Sequence, residues 1–528
     1  MARNVPFDRP RPGTPRRLPR LGALAASVVL GLTAAPAMAA PAGELDLAPA
    51  SVDDQQLRLT FSEAVGRTLS QNPALGVSQA RINEARAAIE QAGGNLLPTL
   101  DLSFSVMGSN NPLNVFGMKL QQREATFGDF GVQEYMDTSG FTDFIKQTGA
   151  PTPERIRQAN DTAPDKLNNP GWHHNFQTSL KLQVPVYNGG KIREMRTQAQ
   201  ALLQAAQAGD EAARQQLVLH TIEAYAGINT AEAFVEVARQ AREAAGSYRD
   251  LSQKLYDEGV VTKADLLKAE VNLGERELDV EAARNQAANA TDGLKVLAGI
   301  DTGRAVTVPE SIDVALPETD LPRAREIALA SNPRIRALRG KITAARAEVD
   351  VARAEFKPHF NLMAQQDFND DSLGLSNDSY TVGGMLTWRV LDFGARSGQV
   401  DRAQAKVNAS LAERQQALNR LVGQVGEVWR AANMAEKRVD VRRMAIRQAE
   451  EAVRLETLRY QQGLATMTEL LAAQTELDNA RAELIRARFQ RTMQRAALWL
   501  AMGDLAPERV ESAPGNASAE LVAEASAD

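Results

Sequence analysis

The chain of 528 residues has no cysteine, only four histidines, and an aromatic content of 5%. Without cysteine there is no disulfide staple, thiolate zinc site or cysteine nucleophile, and no lipid on an N-terminal cysteine. Four histidines leave little for metal chemistry, and no phosphate-binding loop, nucleophile elbow or metal-ligand cluster occurs at a meaningful spacing. No enzyme, metal or cofactor is therefore expected. Past the first forty residues there is no run of about 18 apolar residues, so no helix can span a bilayer and the chain is either soluble or inserted as strands. Proline is missing between Lys191 and Val308, and again between Gly394 and Ala506. From Lys191 to Tyr256 the sequence can stay helical throughout, about 100 Å of rod at 1.5 Å per residue. Such a rod is foreign to ordinary globular domains.

What is present begins with a secretory pattern over 1–39: arginines at 3, 9, 11, 16, 17 and 20, an apolar run from Leu21, and the small-residue site Ala37-Met38-Ala39. Pro19 after Arg16-Arg17 favours ordinary secretion over the twin-arginine route. Those six arginines and Asp8 leave with the signal, which takes the net charge from −6 to about −11 and makes nucleic acid an unsuitable partner. The remaining composition, rich in Ala, Gln, Glu, Arg and Leu, is that of long packed helices.

The chain is also duplicated. Tyr256-x-x-Gly259-x-x-Thr262-x-x-Asp265-Leu-Leu returns as Tyr460-x-x-Gly463-x-x-Thr466-x-x-Glu469-Leu-Leu, 204 residues later, and this register holds from Phe176 past Gly299. A second register, of 260 residues, lays Leu69, Asn72-Pro73, Arg86 and Pro98 over Leu329, Asn332-Pro333, Arg346 and Pro358. The first half thus carries 56 extra residues between Met107 and Asn175. Each half reads as a short helical segment ending at Asn-Pro, a helix (about 76–93 and 335–356), two strands and a long helical hairpin.

Strict alternation marks the strands, about 99–106 and 176–186 in the first repeat (40–300), and about 360–367 and 380–390 in the second (333–505). Leu100, Leu102, Phe104 and Val106 share one face, with Asp101, Ser103 and Ser105 on the other. Val186-Tyr-Asn-Gly-Gly190 and Val390-Leu-Asp-Phe-Gly394 then hand a strand to a helix. The hairpins span 191–298 and 394–502, a mid-chain linker covers 301–332, and 506–528 has the composition of a disordered tail. In each hairpin the glycine supplies the left-handed residue past a helix end, and Thr262 with Asp265, or Thr466 with Glu469, forms the capping box of the next helix. Leucine-rich heptads follow, from Leu266 and from Leu470.

Strands of about ten residues suit a tilted outer-membrane barrel. Four cannot close, and an open edge in hydrocarbon is costly, so strands must be pooled between subunits; two chains give a filled eight-stranded barrel and three give twelve strands with a lumen.

In the order of these duplicated motifs, from about Leu57 to about Leu505, the chain resembles the TolC-like outer-membrane efflux and secretion proteins. The resemblance implies a mainly α fold with membrane β-strands, and a homotrimer whose 12-stranded β-barrel continues as a periplasmic α-helical barrel. It implies a channel that exports substrate from an inner-membrane transporter or the periplasm to the exterior, in tripartite efflux or type I secretion. A periplasmic adaptor, the transporter and outer-membrane lipid would be its partners. Drugs, metal ions and secreted proteins all use such ducts, so the cargo stays open.

Asp265, Glu469 and Tyr460 match the family's periplasmic gate positions, although capping is the simpler duty for both acids. Ala465 stands where an arginine latch would lie and Ala472 where a further acidic ring would, so a weaker latch is expected. Gly259, Val260, Val261 and Thr262, with Gly463, Leu464, Ala465 and Thr466, are the expected adaptor-docking tips. The segment 107–175 reads as an extracellular loop, a passive excursion in preference to a plug, bordered by a solvated His173-His174 pair. A periplasmic coiled-coil scaffold or adaptor is the alternative reading; it accounts for the rods but not for phase-matched strands.

Overall fold

The computed structural model describes residues 57–514; the expected signal segment and the end of the tail lie outside the described residues. In chain order the elements are β1 (Leu57–Arg58), α1 (Phe61–Gln71), α2 (Pro73–Gly94), β2 (Thr99–Ser109), α3 (Pro112–Gln121), α4 (Val132–Ser139), α5 (Phe141–Ile145), α6 (Pro153–Asp161), α7 (Asp165–Asn168) and β3 (His173–Tyr187). Then come α8 (Lys191–Asp257), α9 (Lys263–Leu297), β4 (Val306–Thr307), β5 (Glu310–Val314), α10 (Leu321–Ser331), α11 (Pro333–Ala354), β6 (His359–Asp370), β7 (Asp378–Thr387), α12 (Ala395–Gln461), α13 (Met467–Met502) and β8 (Val510–Pro514). Among the described residues no helix is long and apolar enough to cross a membrane.

Strands β2, β3, β6 and β7 form one antiparallel sheet in that order, with β2 and β7 left as edges. The register places Leu100 opposite Leu182 and Leu102 opposite Leu180, then Leu182 opposite Ala364 and Ala364 opposite Val382. One face is thus apolar across all four strands, and it lies open, with Leu102 73% and Val382 74% exposed. The opposite face carries Asp101, Lys181 and Gln365 in register, and Asp367 accepts from both Gln177 (3.3 Å) and Gln365 (2.9 Å). Strand β7 stops at Thr387, short of the expected 390, because its last ladder partner is His359 and the preceding Pro358 has no N–H to pair; Trp388 beyond it donates its indole N–H to the Phe356 carbonyl (3.1 Å).

The duplicated Asn-Pro ends one short helix and at once starts the next. Asn72 caps the C-terminus of α1 and the N-terminus of α2, accepting from Ala74 N–H at 3.0 Å, with Pro73 in the first helical turn where its missing N–H costs nothing. Its amide also donates to the Leu297 carbonyl (3.1 Å); Asn332 repeats both contacts with Arg334 N–H (3.0 Å) and the Ala501 carbonyl (3.2 Å). Each hairpin's returning helix is thereby tied to the start of its own repeat.

Helix α8 packs along α2, α9 and α11 with a buried stripe of small residues that includes Ala201, Ala205, Ala208, Ala241 and Ala245. At Gly340 the helices come so close that a Cβ would lie 2.9 Å from the Ala201 carbonyl oxygen. Midway, a buried cluster of Leu59, Phe61, Tyr225, Leu294, Ile312, Val314 and Leu505 gathers the linker strands onto α8 and α13. Here β1 runs parallel to β4, and β5 pairs antiparallel with β8. The tail expected to be disordered from 506 is therefore ordered to Pro514: its backbone completes a ladder with Glu310 to Val314. The insert expected as a loop between β2 and β3 carries the short helices α3 to α7.

Candidate functional site

Two places in the fold stand out as candidate sites: the sheet with its unlike faces, and the hairpin ends.

The apolar face of the sheet is framed by aromatic side chains. Trp388 and Tyr187 are exposed at the end nearest the long helices, and Tyr380, Phe104 and Trp172 at the far end. A bulge between Pro185 and Tyr187 sets Tyr187 opposite Phe360 on this side. Between Tyr380 and Trp388 the chain rises about 26 Å, or about 20 Å along the normal of a barrel tilted by about 40°. An apolar band of that height between two aromatic belts fits the hydrocarbon of an outer membrane.

At the hairpin ends, α8 closes on Gly259 (φ +73°) and α12 on Gly463 (φ +69°). Val260 N–H reaches the Leu255 carbonyl and Leu464 N–H the Arg459 carbonyl, both at 2.8 Å, in the backbone reversal that glycine permits. The next helices start on reciprocal caps. Asp265 N–H donates to Thr262 Oγ1 (3.3 Å), whose hydroxyl donates back to Asp265 (2.7 Å); Glu469 N–H donates to Thr466 Oγ1 (3.3 Å), and Glu469 accepts Thr466 N–H (2.7 Å). Both acids therefore serve as caps. Hydrogen bonds from Thr466, first its backbone N–H and then its hydroxyl, hold the Glu469 carboxyl below its usual range, helped by the charge of Arg459.

The two turns meet. A Cβ on Gly463 would stand 3.5 Å from a Val260 methyl, and Lys268 donates to Thr468 Oγ1 at 3.0 Å. Between them Tyr460 is fully buried with Tyr248, Leu255, Ala269, Met467 and Leu470, while Val261 and Ala465 pack on the rim of that cluster. Ser252 donates to the Tyr248 carbonyl (2.8 Å), so its one proton is used, and the contact between Ser252 Oγ and Tyr460 OH (3.0 Å) has the phenol as donor. Burial raises the Tyr460 phenol above its ordinary value, and Asp265 is near enough for its charge to add to that rise. Tyr460 and Asp265 thus share one neighbourhood, and Glu469 is held at the second cap.

Sequence reasoning missed the partners of Tyr460. Tyr248 donates to Gln474 (2.9 Å), and Gln474 to Asp478 (2.8 Å), whose other oxygen is buried without a hydrogen bond. Polar residues on an otherwise apolar heptad seam were the available signal. Of the two histidines expected to be solvated, His174 is exposed, with Nε2 2.9 Å from the Asp371 carbonyl, whereas His173 is half-buried with Nε2 2.6 Å from Gln122. Among the described residues no acidic or histidine cluster is arranged to hold a metal.

Comparison with known proteins agrees with this geometry. The alkaline protease secretion protein AprF of Pseudomonas aeruginosa is 31% identical over 201 residues, 36% of this chain and 40% of that protein. The fusaric acid resistance protein FusA of Burkholderia cepacia is 25% identical over 252 residues, 45% of this chain and 46% of that protein. This chain thus spans less than half of either relative. In fold it is similar to the outer membrane protein VceC of Vibrio cholerae, with a TM-score of 0.64 and 22% identity, covering 84% of this chain and 96% of that one. The family model for outer membrane efflux proteins matches residues 154–300 and 324–504, more than half of the sequence, and with the barrel-type strands and paired hairpins this places the chain in the outer membrane efflux protein family.

Proposed function

We propose that the chain is one subunit of a homotrimeric channel-tunnel that carries substrate from an inner-membrane transporter and the periplasm through the outer membrane, in tripartite efflux or type I secretion. The observation that carries this reading is the open four-stranded sheet, apolar on one face and polar on the other, with both edges unpaired. In hydrocarbon each unpaired edge group costs several kcal/mol, which favours pairing β7 of one copy with β2 of the next. Three copies give twelve strands and a water-filled lumen. The helices also favour a neighbouring copy, because Val271 and Leu278 on α9, and Met434, Val441 and Leu455 on α12, are exposed apolar residues at multiples of seven.

The periplasmic end is then the closed gate, with Tyr460, Asp265 and Glu469 around it, and its turns are the docking surface for the adaptor. Val260 and Leu464 are exposed there, beside a groove of about 570 Å3 lined by Leu267, Lys268, Val271, Thr468 and Leu471. Three copies of Glu469 at one level would attract cations. The test is reconstitution of detergent-extracted protein in planar bilayers: heat-modifiable trimers that conduct ions are expected, with cation preference reduced in Glu469→Ala. A water-soluble monomer that passes no ions would end the reading, and unchanged selectivity would remove Glu469 from the gate.

A further inference from the structure

We propose that residues 110–172 form a size-selecting cap across the outer mouth of the pore, and that Gln122 is the residue that positions it. The inference rests on the channel reading above and adds where the exit is narrowed. The insert is a folded body. Val115 and Met118 are buried, Phe116 meets Phe130 edge-to-face at 5.0 Å, and Lys119–Asp129 (2.5 Å) and Arg155–Asp143 (3.0 Å) link its helices.

Its attachment decides which side of the barrel wall it occupies. Gln122, at the end of α3, is 1% exposed. Its amide nitrogen lies 2.8 Å from the His174 carbonyl, 3.0 Å from Asn175 Oδ1 and 3.0 Å from the Asp370 carbonyl. Asn175 in turn donates to Asn369 Oδ1 at 2.8 Å. Alternation puts Asn175 and Asn369 on the face of Lys181 and Asp367, which a closed barrel turns toward its axis. A loop lying outward would have met Phe176 or Phe368 instead.

The next residue strengthens the point. Arg123 holds φ +60°, a left-handed conformation that is strained for a non-glycine residue. It sits where glycine ordinarily ends a helix, and its guanidinium donates to the Asp378 carbonyl of β7 at 2.6 Å. The insert is thus tied to β3, β6 and β7, three of the four strands.

Size does the rest. Twelve strands about 4.8 Å apart and tilted by about 40° make a backbone ring about 24 Å across. A body of about 60 residues has a radius of gyration of about 10 Å. Three such bodies attached on the inner side cover a mouth of that width, leaving gaps between them for cargo of limited girth.

The experiment compares single-channel conductance of the full-length trimer with that of a variant whose residues 112–170 are replaced by a short Gly-Ser linker, and with Gln122→Ala and Arg123→Gly. Replacement is expected to raise conductance at least twofold and to sensitise cells to vancomycin from outside; the point variants should show frequent excursions to that higher level. If the linker variant fails to assemble, the point variants decide. Assembled variants that conduct at the wild-type level overturn the cap, whereas wild-type trimers that do not conduct at all remove the channel reading itself.

Discussion

Removing the hydrogen bond between Ser252 and Tyr460 from one side or the other should have unequal consequences for the periplasmic tip. The bond joins α8 to α12, so splaying the two hairpins breaks it and exposes both hydroxyls to water. In Tyr460→Phe the Ser252 proton still goes to the Tyr248 carbonyl, and only a hydroxyl lone pair loses its partner. The closed tip then loses the net worth of one hydrogen bond, about 1 kcal/mol, or about fivefold in the closed-to-splayed ratio. In Ser252→Ala the Tyr460 hydroxyl stays in the closed tip as a fully buried donor without an acceptor. That costs about 1–3 kcal/mol, from about fivefold up to about 150-fold. The double variant has no stranded donor and should fall back to the level of Tyr460→Phe. Amide hydrogen exchange across 255–262 and 459–466, measured on full-length trimers in detergent, reads the ratio directly. Exchange in Ser252→Ala no faster than in Tyr460→Phe, or a double variant faster than both, would refute the assignment of the phenol as donor and the view that this bond latches the hairpins.

Other consequences can be checked in the same trimers. Burial raises the Asp478 carboxyl above its usual value, against hydrogen bonding from Gln474 and the charges of Arg276 and Arg481, while Asp279 adds to the rise. A carboxyl whose folded value exceeds its unfolded one binds protons more tightly when folded, so it stabilises the hairpins as pH falls from neutrality toward the ordinary carboxylate range; Asp478→Asn should abolish that rise in the thermal midpoint, and an unchanged pH profile would count against it. Arg495 holds Glu436 through two bonds (2.6 and 2.8 Å) and Asp313 through one (2.9 Å), with Arg491 also on Asp313 (2.6 Å). Arg495→Ala leaves Glu436 alone in a half-buried site and should cost about 2 kcal/mol, seen as earlier melting, whereas Arg491→Ala should cost less because Asp313 keeps Arg495. Phe393 is 93% exposed at φ +52°, where the first repeat has Gly189 at φ +67°. Phe393→Gly should gain about 0.5–1 kcal/mol in detergent, the relief of strain less the added freedom of the unfolded chain; a loss would mean that the ring packs on a neighbouring copy.

Long-period features were legible in the sequence because the chain states them twice. Tyr-x-x-Gly-x-x-Thr at 256 and 460 gave both turns, and the alternation around Leu100 to Val106 gave the face of a strand. The insert was harder to read. Its helices are four to ten residues long, too short for an apolar stripe to stand out, and their order comes from contacts such as Gln122 to Asp370 across 248 positions. Strand β8 likewise has no pattern of its own and takes its conformation from the edge of β5. Asp478 looked like any other acid on a long helix until the fold placed Tyr248 and Gln474 against it.

The duplication also shows where function departs from the shared plan. Under the 204-residue register Tyr460 corresponds to Tyr256, and Ser252 to Glu456. A symmetric molecule would build the latch twice. Within one chain Tyr460 is locked, whereas Tyr256 is 39% exposed and Glu456 pairs with Arg459 at 2.6 Å. In the proposed trimer, contacts between the two hairpins of one copy would alternate with contacts between copies, and the Ser252–Tyr460 bond belongs to the first kind. Splaying the two hairpins of one copy then breaks one buried phenol contact, which makes Tyr460 the place where the cost of separating them is concentrated.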